Sequence, residues 1–277
     1  MKTITLKAKA KINLFLEITG KRENGYHDIS TVMHEIDLCD DITLSKNDTG
    51  TVTITSNSAT MPLDERNIAY KCAAAFFDEI NEENTGLNID IQKHIPMEAG
   101  LAGGSTDGAA VLNGLNELYN NILSKEKLCE IGKRVGADLP FCIMGGAMLC
   151  EGIGEIMTPC PVLPECVILV AKGKEGVSTK EAYANIDATP SREIKENKMP
   201  SLLEKGDLKE ICRAMYNCFE YLVPSVEPIK EIMNKYGALN SMMSGSGSAV
   251  FGIFEDKQKA ENALNELKDK EIFAAIC

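Results

Sequence analysis

Apolar and polar side chains alternate with a period of two over residues 3–7 (Thr-Ile-Thr-Leu-Lys), 12–18, 42–44 and 51–55, which predicts β-strands. Glycine and asparagine clusters at 20–25 and 47–50 predict the turns between them. Asn67 predicts the cap of a helix that runs through Phe76 and Phe77, and alternation resumes as a strand over 87–93 before Pro96 and a glycine-rich loop. Beyond Ser105, Ala109, Leu112, Leu115 and Leu118 recur at helical spacing, and Ser124 opens a second helix carrying Leu128, Ile131 and Val135. Pro159, Pro161 and Pro164 precede a new strand over 167–170, so a boundary is expected there, giving domains 1–160 and 161–277. The second part predicts helices over 178–186, 207–220 and 227–236, a strand over 249–254, a helix over 256–268 and a short apolar end. The polar stretch 192–198 reads as a solvated loop, and no internal repeat is present.

The length of 277 residues allows one large domain or two ordinary ones, and 44% hydrophobic with 25% charged residues is ordinary globular usage. A net charge of −12 opposes nonspecific grip on nucleic acid or anionic membrane, so neither partner is expected and an anionic ligand needs a local device. The ten cysteines are scattered without a C-x-x-C pair, which reads as reduced thiols, not as a disulfide frame or zinc site. The apolar run 12–16 is broken by Asn13 and followed by Glu17, too short for a secretory signal, and no stretch approaches the roughly 18 apolar residues of a membrane span. A soluble cytoplasmic protein is expected.

The most informative stretch is Pro96-Met97-Glu98-Ala99-Gly100-Leu101-Ala102-Gly103-Gly104-Ser105-Thr106, followed by Asp107. Glycines let backbone amides crowd around an anion, and the following helix adds free N–H groups and the positive end of its dipole. This is the local device that the acidic composition demands, although a plain glycine-rich helix cap would look alike. The stretch is neither a Walker A loop nor G-x-G-x-x-G, and H-R-D and D-F-G are absent from the chain. Glycine clusters at 151–155 and 244–248 read individually as turns. Asp138, in Gly136-Ala137-Asp138-Leu139-Pro140, reads as a loop carboxylate or a catalytic one, and Lys11 as a solvated edge lysine or a site cation. Three histidines with no i, i+4 pair make a metal site improbable, and no metal-ligating residues are assigned.

Taken in order, Ala10-Lys11-Ile12-Asn13-Leu14-Phe15-Leu16, Gly25-Tyr26-His27, the 96–107 loop, Gly136-Ala137-Asp138-Leu139-Pro140, Gly152-x-Gly154-Glu155 and Met243-Ser244-Gly245-Ser246-Gly247 resemble the GHMP kinases over nearly the whole chain. The resemblance implies an α+β, two-domain GHMP-kinase fold, with mixed β-sheets packed against helices and the active site in the cleft between domains. It implies ATP with Mg²⁺, wrapped by Pro96 to Thr106, and Lys11 and Asp138 as the catalytic pair. Gly25-Tyr26-His27 and Lys11-x-Asn13 resemble the member that phosphorylates the 2-hydroxyl of a cytidine diphosphate-linked methylerythritol in non-mevalonate isoprenoid synthesis. Asn13 would line that acceptor's pocket, Tyr26 would stack on the cytosine, His27 would read its edge, and Tyr183 and Thr179 would complete the contacts. A homoserine- or mevalonate-type kinase, or a fold-mate without catalysis, remains open, as does the choice between monomer and homodimer. The family loop commonly reads G-L-G-G-G-S-S, whereas Ala102 and Thr106 stand here. The Ala102 methyl is expected to exclude strongly positive φ and to alter the loop modestly.

Overall fold

Two strands far longer than the alternation predicts organise the chain. The computed structural model describes residues 2–82, 86–189 and 193–277. Along it run β1 (Thr3–Lys21), β2 (His27–Lys46), β3 (Val52–Ser56), α1 (Ile68–Glu79), β4 (Leu87–Gln92), α2 (Gly103–Leu118), α3 (Lys125–Val135), α4 (Leu139–Met144), β5 (Ala147–Gly152) and β6 (Ile156–Cys160). There follow β7 (Val167–Lys172), α5 (Thr179–Asp187), α6 (Met199–Lys205), α7 (Leu208–Ala214), β8 (Tyr216–Asn217), α8 (Glu227–Lys235), β9 (Asn240–Met243), β10 (Val250–Phe254), α9 (Lys257–Asp269) and β11 (Phe273–Ile276). From Ala10 to Ile18 every residue of β1 is buried, so both of its faces are covered there.

By compactness the chain falls into two units, one of Met1–Ala10, Asp37–Ile95 and Ala102–Gly145, the other of Lys11–Ile36, Pro96–Leu101 and Gly146–Cys277. This division is drawn differently from a division by chain order at residue 160, because β1 and β2 each contribute to both units.

In the first unit the strands lie in the order β3-β4-β2-β1, β3 parallel to β4 and β4 antiparallel to β2 from Asp41↔Gln92 to Lys46↔Leu87. Ile42, Leu44, Leu87, Ile89 and Ile91 from the strands pack on Phe76 and Phe77 of α1, Leu112 and Leu115 of α2, Ile131 of α3 and Leu139 of α4. Gly108 permits the close approach of α2 to α1, since a Cβ there would lie 2.8 Å from both Cys72 Sγ and Ile68 Cγ2.

In the second unit β5 pairs antiparallel with β2 from Ile29↔Gly152 to His34↔Ala147, β6 follows β5, and β8 lies parallel to β1 through Phe15↔Tyr216 and Leu16↔Asn217. A separate antiparallel sheet of order β11-β7-β10-β9 buries Leu169, Val250 and Phe254 against Met233 of α8 and Ala263 and Leu267 of α9.

Most predicted helices and strands are present, with differences that long-range pairing explains. The helix expected over 207–220 stops at Ala214, because Tyr216 and Asn217 pair with β1. The chain around Asp138 forms the short helix α4, with Pro140 in its first turn where no intrahelical N–H is needed. Strands β5, β6 and β9 and helix α6 carried no clear local signal. Residues 193–198 lie outside helices and strands, while Arg192, the first residue of that expected loop, lies outside the described residues. Among the described residues no helix is long and apolar enough to cross a membrane.

The helix starts follow side-chain caps: Asn67 Oδ1 accepts from the Ala69 N–H at 2.8 Å while its Nδ2 donates to Pro62 O at 2.8 Å. Asn67→Ala is expected to lower unfolding free energy by about 1–2 kcal/mol, read from the urea midpoint, with Asn67→Ser recovering most of it.

Candidate functional site

In the second unit, Lys11 and Asn13 sit two residues apart on β1 and therefore on one face of it. Lys11 is 4% exposed, and its ammonium donates to Asn13 Oδ1 at 2.7 Å and to the Gly100 carbonyl at 2.9 Å. The orientation of the Asn13 amide is fixed by a chain of bonds: its Nδ2 donates to Thr31 Oγ1 at 2.9 Å, and that hydroxyl donates to Phe15 O at 2.6 Å. Both acceptors of Lys11 are neutral oxygens, so its charge is solvated by dipoles and keeps its attraction for an anion. The solvated-edge alternative for this lysine does not hold.

The Gly100 carbonyl also accepts from Ser244 Oγ at 3.0 Å, and the Ala249 N–H donates to Ala99 O at 3.0 Å. The 244–249 turn thereby backs the first part of the glycine-rich loop. Asn217 Nδ2 holds that turn from behind, donating to Met243 O at 2.7 Å and Gly245 O at 2.8 Å. Ala99 and Leu101 are buried, whereas Met97 is 41% exposed and Glu98, at φ 51, lies next to Gly176.

In the first unit the loop continues as Ala102, at φ 59 and ψ 24, and Gly103 opens α2. The methyl group of Ala102 thus does not keep φ negative: the left-handed region is open to an L-residue at a cost of about 1–2 kcal/mol, and the loop accepts it. Thr106 is the first residue to make an intrahelical bond, its N–H donating to Ala102 O at 2.9 Å, so the amides of Gly103, Gly104 and Ser105 precede the helical ladder. Thr106 itself turns inward, 3% exposed, with its hydroxyl donating to Gly103 O at 2.8 Å. No acidic residue occupies the first turn of α2. These amides and the helix dipole suit a phosphate. Asp138, half-buried at the start of α4, makes no capping bond to its helix, so its carboxylate is not consumed by local structure.

The remaining candidates gather around a hairpin of the second unit. The Gly25 N–H donates to Arg22 O at 3.0 Å and the Arg22 N–H to Tyr26 O at 2.8 Å, a closure that uses φ 86 at Gly25. It leaves Tyr26 60% exposed at the tip. His27 is turned in: its ring lies 4.9 Å from that of Tyr183, which in turn lies 4.9 Å from Phe219. His27 Nε2 meets Asp187 Oδ1 at 2.7 Å, and Lys21 Nζ donates to Asp187 Oδ2 at 2.6 Å. Hydrogen bonds from Lys21 and then His27 hold the Asp187 carboxyl below its usual range. Thr179 Oγ1 lies 3.1 Å from Ser246 Oγ, which ties the start of α5 to the serine-glycine turn. Asp187, Asn217 and Thr31 carried no sequence signal; Ser244 and Ser246 lay in a cluster visible as Ser-Gly punctuation.

The glycine-rich helix start of the first unit suits a phosphate and the buried lysine of the second suits an anion, and each fits a small-molecule kinase. Residues 67–146 match the GHMP kinases N terminal domain and residues 199–272 the GHMP kinases C terminal domain. The chain belongs to the GHMP kinase family. It is 44% identical to the 4-diphosphocytidyl-2-C-methyl-D-erythritol kinase of Caldicellulosiruptor bescii over 95% of this chain and 93% of that one. It is 44% identical to the kinase of the same name from Clostridium perfringens over 96% and 93% of the two chains. A crystal structure of 4-(cytidine 5'-diphospho)-2C-methyl-D-erythritol kinase superposes with a TM-score of 0.81 at 27% identity, covering 99% of this chain and 98% of that one. The Methanococcus jannaschii mevalonate kinase shares the fold, with a TM-score of 0.74 at 16% identity, covering 100% of this chain and 98% of that one.

A Cβ on Gly100, at φ +73, would lie 2.1 Å from Ser244 O, whereas one on Gly50, at φ +69, would meet nothing within 4 Å. Gly100→Ala should therefore destabilise the chain by about 2–4 kcal/mol and Gly50→Ala by only about 1 kcal/mol, compared by chemical denaturation.

Proposed function

We propose that this chain transfers the γ-phosphoryl group of ATP to the 2-hydroxyl of 4-diphosphocytidyl-2-C-methyl-D-erythritol, giving the 2-phosphate and ADP in the non-mevalonate route to isoprenoid precursors. The observation that carries the reading is 44% identity across 95% of the chain to kinases of that name. A cytoplasmic location belongs to this reading, since ten cysteines scattered without a C-x-x-C pair suit a compartment where thiols stay reduced.

ATP fits the residues present: the amides of Gly103 to Ser105 and the stretch 96–106 would receive the phosphates. Among the described residues no group of three or more His, Cys, Asp or Glu could hold a metal ion; Mg²⁺ would enter with the ATP phosphates that the Gly103 to Ser105 amides receive. When bound it supplies charge neutralisation at the transferring group. Asp138 acts as the general base: it takes the proton of the 2-hydroxyl as the new O–P bond forms and the bond from the γ-phosphorus to the ADP oxygen breaks. Lys11, held by Asn13 and Gly100, offsets negative charge that develops during transfer. Most of the rate enhancement then comes from positioning and electrostatics, since a loose phosphoryl transition state needs little covalent help. Tyr26 stacks on the cytosine, His27 reads its edge, and Asn13, Thr179 and Tyr183 complete the acceptor's contacts.

ADP release with Mg-ATP should be robust with the cytidine diphosphate-linked alcohol and absent with homoserine or mevalonate; turnover of homoserine without a cytidine requirement would overturn the assignment. Asp138→Asn should lower kcat by at least ~100-fold while leaving ATP binding largely intact, and an unchanged kcat would remove Asp138 as the base. Tyr26→Ala should weaken the cytidine-bearing acceptor by about 1–3 kcal/mol without a matching loss for ATP, measured as the two KM values.

A further inference from the structure

Beneath the start of α2, three buried charged groups of the first unit meet in an arrangement that phosphoryl transfer itself does not use. Lys93 Nζ donates to Asp40 Oδ2 at 2.5 Å and to Asp107 Oδ2 at 2.8 Å, and the three side chains are 9%, 0% and 3% exposed. Asp40 is fully provided for, because its Oδ1 accepts the backbone N–H groups of His94 at 2.5 Å and Ile95 at 2.8 Å. Asp107 is not: its Oδ1 is buried with no hydrogen-bond partner. The cluster abuts the phosphate end of the helix, since a Cβ on Gly103 would come within 3.4 Å of Lys93 Nζ.

Two carboxylates share one ammonium. With both ionised, the cluster is negative directly under the amides assigned to the phosphates, and like charges disfavour that state. Three donors occupy the oxygens of Asp40, so the bare Oδ1 of Asp107 is the place in the cluster for an added proton. Burial pushes the Asp107 carboxyl up to about 7, against the pull of Lys93. The other elements packed on α2 bring little competing charge. On α1, Cys72 is a thiol that burial pushes up to about 12. On α4, Leu139 is apolar, and on β2, Asp41 is already paired with Lys7 and with the His94 ring.

We propose that Asp107 is a proton-holding positioning residue of the nucleotide site, which takes up a proton from solvent as the triphosphate seats on the N-terminus of α2. The proton leaves Lys93 balanced by Asp40 alone, so the cluster under the phosphates is neutral. This rests on the nucleotide reading given above. The sign follows from linkage. A polyanion favours the protonated acid, so affinity is full where Asp107 is already neutral and falls as pH rises through its free and then its bound titration.

Calorimetric titration of the full chain with the magnesium complex of AMP-PNP, at about pH 8 in buffers of different ionisation enthalpy, counts the protons. Wild type should take up close to one proton, and its affinity should fall several-fold, at most about tenfold per pH unit, above neutrality. Asp107→Asn, a neutral isostere of the protonated acid, should bind without that uptake and with affinity flat over the same range. Binding with no proton uptake by wild type, or equal uptake by the variant, overturns the proposal. Should the variant not fold, the wild-type count decides alone, since uptake that does not rise from about pH 6 to about pH 8 also overturns it. No nucleotide binding at all overturns the underlying reading and this proposal together.

Discussion

The carbonyl oxygen of Gly100 accepts hydrogen bonds from both the Lys11 ammonium at 2.9 Å and the Ser244 hydroxyl at 3.0 Å, and the loop, lysine and turn of the second unit hang on that junction. A carbonyl has two lone pairs, and here both have partners, so the peptide plane of Gly100 cannot turn without losing two bonds at once. Its φ of +73 and its contact with the 244–249 turn make a residue without a side chain necessary. The same oxygen solvates a buried cation. Loop shape and lysine position are therefore one constraint. A change in either is felt by the other.

That constraint explains how an acidic chain can handle a polyanion. With a net charge of −12, attraction cannot come from the average surface. In the proposed reading it comes from groups whose own charge or dipole is left unspent by the fold: an ammonium held by neutral oxygens, and the amides of Gly103, Gly104 and Ser105 ahead of the first helical bond. Such groups act over short range, where salt screens little. Selectivity for a phosphate then arises from placement, and the acidic exterior is free to serve solubility.

What the sequence reveals follows the range of the interactions involved. Caps made by a side chain to its own helix, as at Asn67, Ser124 and Asp256, are local and were legible. The full length of β1 was not: 3–7 and 12–18 were legible as strands, but that they are one strand from Thr3 to Lys21 was not. Tyr216 and Asn217 carry a helical pattern and become strand only because Phe15 and Leu16 lie beside them. Among candidate residues, the types and order were visible in the motifs, but the burial of Lys11 depends on an oxygen 89 positions away. Asp187 had no local signal, since its two partners lie on the strands flanking a distant hairpin. Ala102 shows the converse error: a local rule about methyl groups yields to a loop that fixes φ at 59.

The residues proposed to read the acceptor's cytosine lie on a segment that shapes itself. The mevalonate kinase fold is shared at a TM-score of 0.74. The 22–27 hairpin, by contrast, is closed by its own bonds: Gly25 to Arg22, Arg22 to Tyr26, and the Arg22 guanidinium to Asp28 Oδ1 at 2.6 Å. Its tip carries Tyr26 outward without any role in the core, and His27 is set by Asp187 on α5. A segment that shapes itself can change sequence without disturbing the Gly100 junction. In the proposed reading, the cytosine contacts of Tyr26 and His27 are held by bonds apart from the Gly100 junction, whereas Asn13 and Thr179 are bonded to Lys11 and to the 244–249 turn that belong to it.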